Sequence, residues 1–338
     1  MRRLKFLASL ATVTAAATLL FAGAASAQTA FPGSKPVTFV VPFAAGGPTD
    51  RVARDLAEAM RKSMGGNANF VVENVNGAGG TIGAAKVARA NPDGYTLLLH
   101  HIGMAAAPGL YRKLPYKVLD DFEFLGMINE VPMTIIGKPQ LQANTYRDLE
   151  NYIRVNASKM NIAHAGLGSA SHLCGLMWQS SMKAADAMTT IPFGGTAPAM
   201  NALLGGQVDL MCDQTTNTTG QIEAGRVKAY AVTTSKQLSG NKLLKDYPTL
   251  QQMGLKGFDL TIWHGLYAPK GTPPAVMAQL NAALKLALKD PDFLKKEEAL
   301  GAVVVTDNRV EPAAHKAFVA AEINKLKPVI EAAGKFAD

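Results

Sequence analysis

This sequence predicts an α/β fold of two lobes with a ligand cleft between them, on three observations. Short β-rich runs alternate with helical patterns along most of the chain. The alternation falls into two sets, with no Pro-, Gly- or Ser-rich linker between them. Gly-rich turns join several of the strands to the helices that follow. Composition allows this: 338 residues at 48% hydrophobic and 18% charged can fill one or two cores, which excludes a disordered or collagen-like chain.

The first segment reads as an export signal. Arg2, Arg3 and Lys5 precede an apolar run from Phe6 to about Ala24, which ends in Ala25-Ser26-Ala27. The run approaches bilayer length, but it is Ala-rich and carries small residues where signal peptidase cuts. Residues 1–27 are therefore expected to be removed, with cleavage near Ala27 and export to the periplasm. Losing the three cations lowers the formal net charge from +8 to +5. The remaining basic residues are scattered and not interleaved with aromatics, so nucleic acid is not an expected partner. Cys174 and Cys212 would lie in an oxidising compartment. A bridge between them stays open, but their apolar surroundings favour two buried free thiols.

In the first set, Val37-Thr38-Phe39-Val40-Val41-Pro42-Phe43 reads as a buried strand. Thr49 to Met64 follows as a helix, with Val52, Leu56, Met60 and Met64 on one face. Phe70 to Glu73 is a strand, Gly83 to Ala90 a short helix and Tyr95 to Leu99 a strand. This rhythm predicts parallel pairing with right-handed crossovers. The second set alternates strands at Met133–Gly137, Met160–His164, Met188–Phe193 and Val208–Cys212 with helices at 144–157, 171–182 and 196–204. A strand at Tyr230–Thr234 follows, then a strand-poor stretch, then a strand at Trp263–Ala268. A helix opens at Pro273 with Thr272 as its expected cap, and a last helix is expected over 318–333. Crossing strands near 125–135 and 235–265 should join the lobes. That assigns 28–130 and 250–338 to lobe 1 and 131–249 to lobe 2.

Three Gly-rich turns carry the chemistry. Pro42 to Asp50 contains Gly46 and Gly47 just before a helix, where free N–H groups and the helix dipole favour an anion. Asn76 to Gly83 fails the dinucleotide fingerprint, because Ile82 stands where its third glycine belongs, and it fits no P-loop. It is expected to shape its lobe. Ala165 to Leu173 again joins strand to helix, with Ser169 and Ser171 as caps able to hold a carboxylate. It lacks the G-x-S-x-G elbow, so Ser169 or Ser171 with His172 is the weaker, hydrolytic reading. Adjacent His100 and His101 should point apart on a strand, and no metal-ligand spacing is present.

These blocks resemble the tripartite tricarboxylate transporter receptors, the Bug-type extracytoplasmic solute-binding proteins. The resemblance spans Val41-Pro42-Phe43-Ala44-Ala45-Gly46-Gly47-Pro48-Thr49-Asp50, then Asn74 and Gly77 to Gly83, then Asn91-Pro92-Asp93-Gly94-Tyr95. It continues through Gly168 to Leu173, Ile191 to Ala199, Leu203 to Leu210, and Leu266 to Pro273. It implies a type II-like periplasmic binding protein fold that closes on a small carboxylate and delivers it to the permease subunits of a membrane transporter. No cofactor and no catalysis are implied, and a monomer is expected. By motif, the implied ligand-binding residues are Phe43, Ala44, Ala45, Gly46 and Thr49 in lobe 1. Ser169, Ala170, Ser171, His172, Gly194, Thr196 and Asp213 are their counterparts in lobe 2.

The chain departs from the family pattern at Phe193-Gly194-Gly195, where Tyr-Lys-Gly is common, and at His100 to Met104, and its run from Cys212 to Asn217 is also distinctive. His101, Met104, Phe193 and His264 could together flatten the pocket. An aromatic diacid of the terephthalate kind is then the sharpest expectation, set against an aliphatic diacid. The other function classes are an exported Ser/His hydrolase and a ligand sensor for a membrane kinase.

Overall fold

The computed structural model describes residues 31–65, 68–183 and 187–333. The export signal at 1–27 lies outside the described residues. Residues from Ser34 onward form one compact unit. Among the described residues, no helix is long and apolar enough to cross a membrane.

The strands are β1 (Val37–Val41), β2 (Phe70–Asn74), β3 (Thr96–His101), β4 (Phe122–Gly137) and β5 (Asn161–His164), then β6 (Thr189–Pro192), β7 (Leu210–Gln214), β8 (Lys228–Val232), β9 (Thr261–Pro269) and β10 (Val303–Val304). They join in the order β2-β1-β3-β9-β4-β7-β5-β6, with β8 and β10 also pairing to β4. β1 pairs with β2 and β3 in parallel, as the βαβαβ rhythm predicts. β5 pairs in parallel with β6 and β7. The sheet as a whole is mixed, because β9 runs antiparallel to both β3 and β4.

β4 is the strand that joins the two sets. Its first part, Phe122 to Pro132, pairs with β9, and its last part, Met133 to Gly137, pairs with β7 and β8. The chain returns beside the same point. Thr233, fully buried, accepts from Met133 N at 3.1 Å and donates to Leu260 O at 2.7 Å, so one hydroxyl stitches both crossings. Sequence patterning placed a crossing strand near 125–135 and a strand at Met133–Gly137, but did not join them or reach the start of β4 at Phe122. Its first half carries Glu123, Asn129 and Glu130 and two register shifts against β9, which break a simple alternation.

The helices are α1 (Pro48–Ser63), α2 (Thr81–Ala88), α3 (Gly103–Leu110), α4 (Tyr146–Asn156) and α5 (Ala170–Ser181), then α6 (Thr196–Leu204), α7 (Thr215–Glu223), α8 (Pro274–Ala287), α9 (Pro291–Ala299) and α10 (Pro312–Ala333). α1 buries Val52, Leu56 and Met60, the stripe its periodicity predicts. α4 starts at a reciprocal capping box between Thr145 and Asp148. Thr272 does not cap α8. The cap position is Pro273, and the Thr272 hydroxyl donates to Pro269 O at 2.8 Å instead. α10 begins at Pro312, well before the expected 318.

The expectation of free thiols is overturned. Cys174 on α5 and Cys212 on β7 form a disulfide with Cα atoms 6.0 Å apart. α5 packs on β7, and that tertiary contact brings two residues 38 apart in sequence within bridging range. The bridge ties the helix behind the 165–172 turn to the strand that ends in Asp213 and Gln214.

Candidate functional site

The turn after β1 is held by the side chain of Asp50. Its carboxylate accepts from Gly46 N at 2.9 Å, from Arg54 and from Asn74 Nδ2. Burial raises the Asp50 pKa, but the bonds from Arg54, Gly46 and Asn74 outweigh that and hold it below the usual carboxylate range. Asp50 therefore shapes the loop, while Gly47 occupies the cap position of α1 with no side-chain cap. Pro48 has no N–H, so the first turn presents the N–H groups of Thr49 and Asp50.

α6 starts in the same way. Gly195 is its cap position, again without a side-chain cap, and Pro198 stands in its first turn. The two starts meet. A Cβ added to Gly195 would stand 2.6 Å from Ala44 Cβ and 2.9 Å from Ala44 N. One added to Gly47 would lie 3.8 Å from Thr196 Cβ, and one on Gly46 would lie 3.9 Å from Ala197 Cβ. Two uncapped helix N-termini thus face each other from opposite ends of the sheet. Each carries about half a positive charge, so their approach is unfavourable until an anion lies between them.

α5 is different. Ser169 caps it, accepting from His172 N at 3.2 Å. Ser171 Oγ accepts from Ala165 N at 2.9 Å and lies 3.2 Å from Ser169 Oγ. His172 Nδ1 accepts from Gly168 N at 3.3 Å, and its ring lies 4.8 Å from that of His164. Ser169, Ser171 and His172 are all buried, as is Ala170 in the first turn of α5. These bonds close the 165–172 turn on itself.

More backbone contacts join the same two halves. A Cβ on Gly79 would overlap the carbonyl oxygen of Leu167. Asn76 Nδ2 donates to Gly194 O at 3.2 Å. The Tyr111 hydroxyl lies 2.6 Å from Ala78 O and 2.7 Å from Leu167 O, and donates to one of them at a time. The Gly77–Gly83 turn therefore does more than shape its own lobe: it lets backbone meet backbone across the cleft. A cavity of about 600 Å³ opens beside this seam, lined among others by Phe43, Tyr111, His164, Phe193 and Gly194.

The remaining predicted residues form a buried group behind α1. The His101 ring stacks on Phe43 with centroids 4.5 Å apart and lies 6.1 Å from His264. His101 Nδ1 accepts from Gly103 N, and burial pushes its pKa down to about 3. His100 and His101 do not point apart: their rings pack edge to face at 4.9 Å, because the strand ends there and turns into α3. Met104 is buried in α3. His264 Nε2 sits 3.3 Å from Thr49 Oγ1, and burial holds this imidazole well below its usual pKa. Ala45 and Gly46 are exposed at the tip of the turn.

Asp213 is buried at the end of β7. It accepts from Gln214 N and Asn217 Nδ2, and burial raises its pKa to about 7. Beside it, Gln214 Oε1, Thr215 Oγ1 and Thr216 Oγ1 are buried with no partner among the described residues. Sequence reasoning singled out the run from Cys212 to Asn217 as distinctive but gave these three no role, and it missed the reach of Asn76 and Tyr111. The polar run Gln214-Thr215-Thr216-Asn217 after an apolar strand was the one local signal available.

A family model described as the tripartite tricarboxylate transporter family receptor matches residues 52–335. Periplasmic binding protein BugD superposes with a TM-score of 0.85 at 50% identity, covering 90% of this chain and 99% of that one. MatC (Rpa3494) from Rhodopseudomonas palustris, solved with bound malate, gives 0.82 at 39%, over 87% and 98%. R. palustris Rpa4515, solved with adipate, gives 0.82 at 30%, over 90% and 98%. With these similarities and the mixed sheet bridged by β4, the fold is the two-lobed α/β fold of periplasmic binding proteins, and the chain belongs to the tripartite tricarboxylate transporter receptor family.

Proposed function

We propose that this protein is a non-catalytic periplasmic receptor that encloses a small dicarboxylate between its lobes and hands it to a tripartite membrane permease. The observation that carries this reading is the meeting of the uncapped starts of α1 and α6. An anion there neutralises two helix termini at once, each contributing about 0.3–2 kcal/mol. Such a ligand contacts both halves only when they are closed, so binding shifts the population toward the closed form. Malate and adipate, held by the two relatives from R. palustris, are both open-chain dicarboxylates, which supports the same class here.

In this proposal Ala44, Ala45, Gly46, Thr49, Gly194 and Thr196 meet the ligand, and Ser169, Ala170, Ser171 and His172 hold the facing turn. Asp213, protonated near neutral pH, gives a donor rather than a repelling charge. The lobes are 28–130 with 250–338, and 131–249, hinged where Thr233 joins the crossings. The export signal ends near Ala27, and the mature chain acts as a monomer. The hydrolase alternative is disfavoured because the Ser169 and Ser171 hydroxyls already accept backbone N–H groups.

A second reading, an aromatic diacid of the terephthalate kind, is favoured by the rings of Phe43, Tyr111 and Phe193 around one cavity. A thermal-shift screen of residues 28–338 separates the two. The panel holds open-chain diacids, tricarboxylates, amino acids and aromatic mono- and diacids. A ligand at 100 times its Kd adds about 2.7 kcal/mol of stability. Open-chain diacid hits support the first reading, and hits confined to aromatic diacids support the second. Stabilisation by no carboxylate contradicts both.

A further inference from the structure

Behind the start of α1 runs a buried file of hydrogen bonds drawn from four elements. Thr49 Oγ1 of α1 lies 3.3 Å from His264 Nε2 of β9, and His264 Nδ1 lies 2.8 Å from Asn129 Oδ1 of β4. Asn129 Nδ2 lies 2.6 Å from Glu297 Oε2 of α9. Thr49 is 2% exposed and the other three residues are fully buried. The file ends at a carboxyl group whose second oxygen, Oε1, has no partner among the described residues.

Each interior member has one donor face and one acceptor face, so the file has two self-consistent directions. In one, ionised Glu297 accepts from the Asn129 amide NH2, Asn129 Oδ1 accepts from His264 Nδ1–H, and His264 Nε2 accepts the Thr49 O–H. The hydroxyl proton is then turned inward. In the other, protonated Glu297 donates to Asn129 Oδ1 after the amide rotates by half a turn. The amide NH2 then donates to His264 Nδ1, and His264 Nε2–H donates to Thr49 Oγ1. The Thr49 O–H is released toward the helix start. The change takes one proton from solvent onto Glu297 and moves the imidazole proton from Nδ1 to Nε2. The imidazole stays neutral in both forms, and only N–H and O–H bonds change.

We propose that Glu297, through Asn129 and His264, sets whether Thr49 donates into the anion site, so that the ligand binds together with one proton. This rests on the reading of Thr49 as part of that site. The 2.6 Å separation between Asn129 and Glu297 lets the contact be made as N–H···O or, after the amide rotates, as O–H···O. Burial and the nearby Asp55 of α1 raise the Glu297 pKa, while the Asn129 bond, Arg51 of α1 and Lys296 of α9 lower it, and the balance stands at about 7. Around His264, His101 of β3 is held neutral by burial, and Asp50 of α1 is neutralised by Arg54. Glu297 and Asn129 are thus positioning residues for Thr49.

The test has two parts. Nitrogen NMR of the His264 ring in the ligand-free chain should show the N–H on Nε2 at acid pH and on Nδ1 at alkaline pH, with a midpoint near 7. Glu297→Gln, whose amide can donate permanently to Asn129 Oδ1, should hold the Nε2–H form throughout. Calorimetry with malate as the probe, in buffers of different ionisation enthalpy near pH 8, should show about one proton taken up per malate. Affinity should fall about tenfold per pH unit above the midpoint. The calorimetry is made in the Asp213→Asn background, so that this second buried carboxyl takes up no proton, and there Glu297→Gln should abolish both effects. A single fixed tautomer in the wild type overturns the switch, whatever binds. Proton uptake that persists in Glu297→Gln overturns the role of Glu297. A tautomer switch with no binding of malate or any other diacid overturns the ligand reading, and the coupling with it.

Discussion

The starts of α5 and α1 have similar sequences and opposite structures. Both follow a parallel strand through a Gly-containing turn, and both carry hydroxyl residues. At α5, Ser169 closes the helix on itself by capping His172 N. At α1, the acidic side chain turns back to hold Gly46 N, and the cap position is a bare glycine. A capped start has spent its donors on its own fold, whereas an uncapped one keeps them for a ligand. On the proposed reading, a hydroxyl at the cap position of a helix marks a closed cap rather than a ligand contact. α6, with Gly195 at its cap position and no side-chain acceptor, is the true counterpart of α1.

Substitutions at these places can break or sharpen the contrast. The largest effect is expected for Gly195→Ala. Its methyl group would press into Ala44 and hold the two starts apart, lowering ligand affinity by about a hundredfold or more. The ligand-free melting temperature should barely move, because the clash exists only in the closed form. Equal losses of binding and stability would mean the contact belongs to the fold rather than to closure.

Replacing Cys174 and Cys212 together by alanine removes the bridge between α5 and β7 and should cost about 2–4 kcal/mol in denaturant melts. Ligand affinity in the residual folded protein should change by less than about threefold, within the noise expected of a distant site. A large loss of affinity at unchanged stability would place α5 closer to the ligand than argued here.

Next come the two hydroxyls. Ser169→Ala should cost about 0.5–2 kcal/mol of stability, as loss of a cap does, with little change in affinity. Thr49→Ala should do the reverse and weaken binding by about 1–2 kcal/mol. Isothermal titration beside thermal melts of both variants reads the contrast directly. The reverse assignment would make α5 the anion site.

The last test is the pH profile of the ligand-free chain. His100, His101, His264 and His315 are buried with lowered pKa values, so the unfolded chain binds their protons first as pH falls below about 6.5. Each withdraws stability toward acid, at up to about 1.4 kcal/mol per pH unit. Asp213 and Glu297 act oppositely, since their folded pKa values are raised to about 7. They stabilise at acid pH and lose that contribution as pH rises to about 7. Four groups outweigh two, so stability should fall from about pH 6.5 to pH 4 and decline slightly from 6.5 to 7.5. Melts that rise monotonically toward acid would contradict the neutral state of the histidines.

The sequence made legible what local periodicity governs. The stripe of α1, the parallel β1–β2–β3 unit and the Gly-rich turns all follow from residue spacing. What it hid depends on distant partners. α3 reads Gly-Met-Ala-Ala-Ala-Pro-Gly-Leu, with breakers and no amphipathic face, and is helical because it is buried. α7 is rich in Thr, which favours other conformations in isolation. The Cys174–Cys212 bridge needed the packing of α5 on β7. His264 was singled out, but Asn129 lies 135 residues from it and 168 from Glu297 along the chain, and no spacing rule joins the three. Of the residues where the starts of α1 and α6 meet, the turn at 43–49 and Thr196 were named from the motif. Asn76 and Tyr111 were missed because their role is a bond to backbone in the other half.

In the proposed receptor, one carboxylate lies between the starts of α1 and α6. A crystal structure of residues 28–338 with the most stabilising diacid tests it most directly. The expected result is a carboxylate accepting hydrogen bonds from backbone N–H groups at Gly47–Asp50 and at Gly195–Ala197. A carboxylate seated instead on the capped start of α5, or outside the cleft, would contradict it.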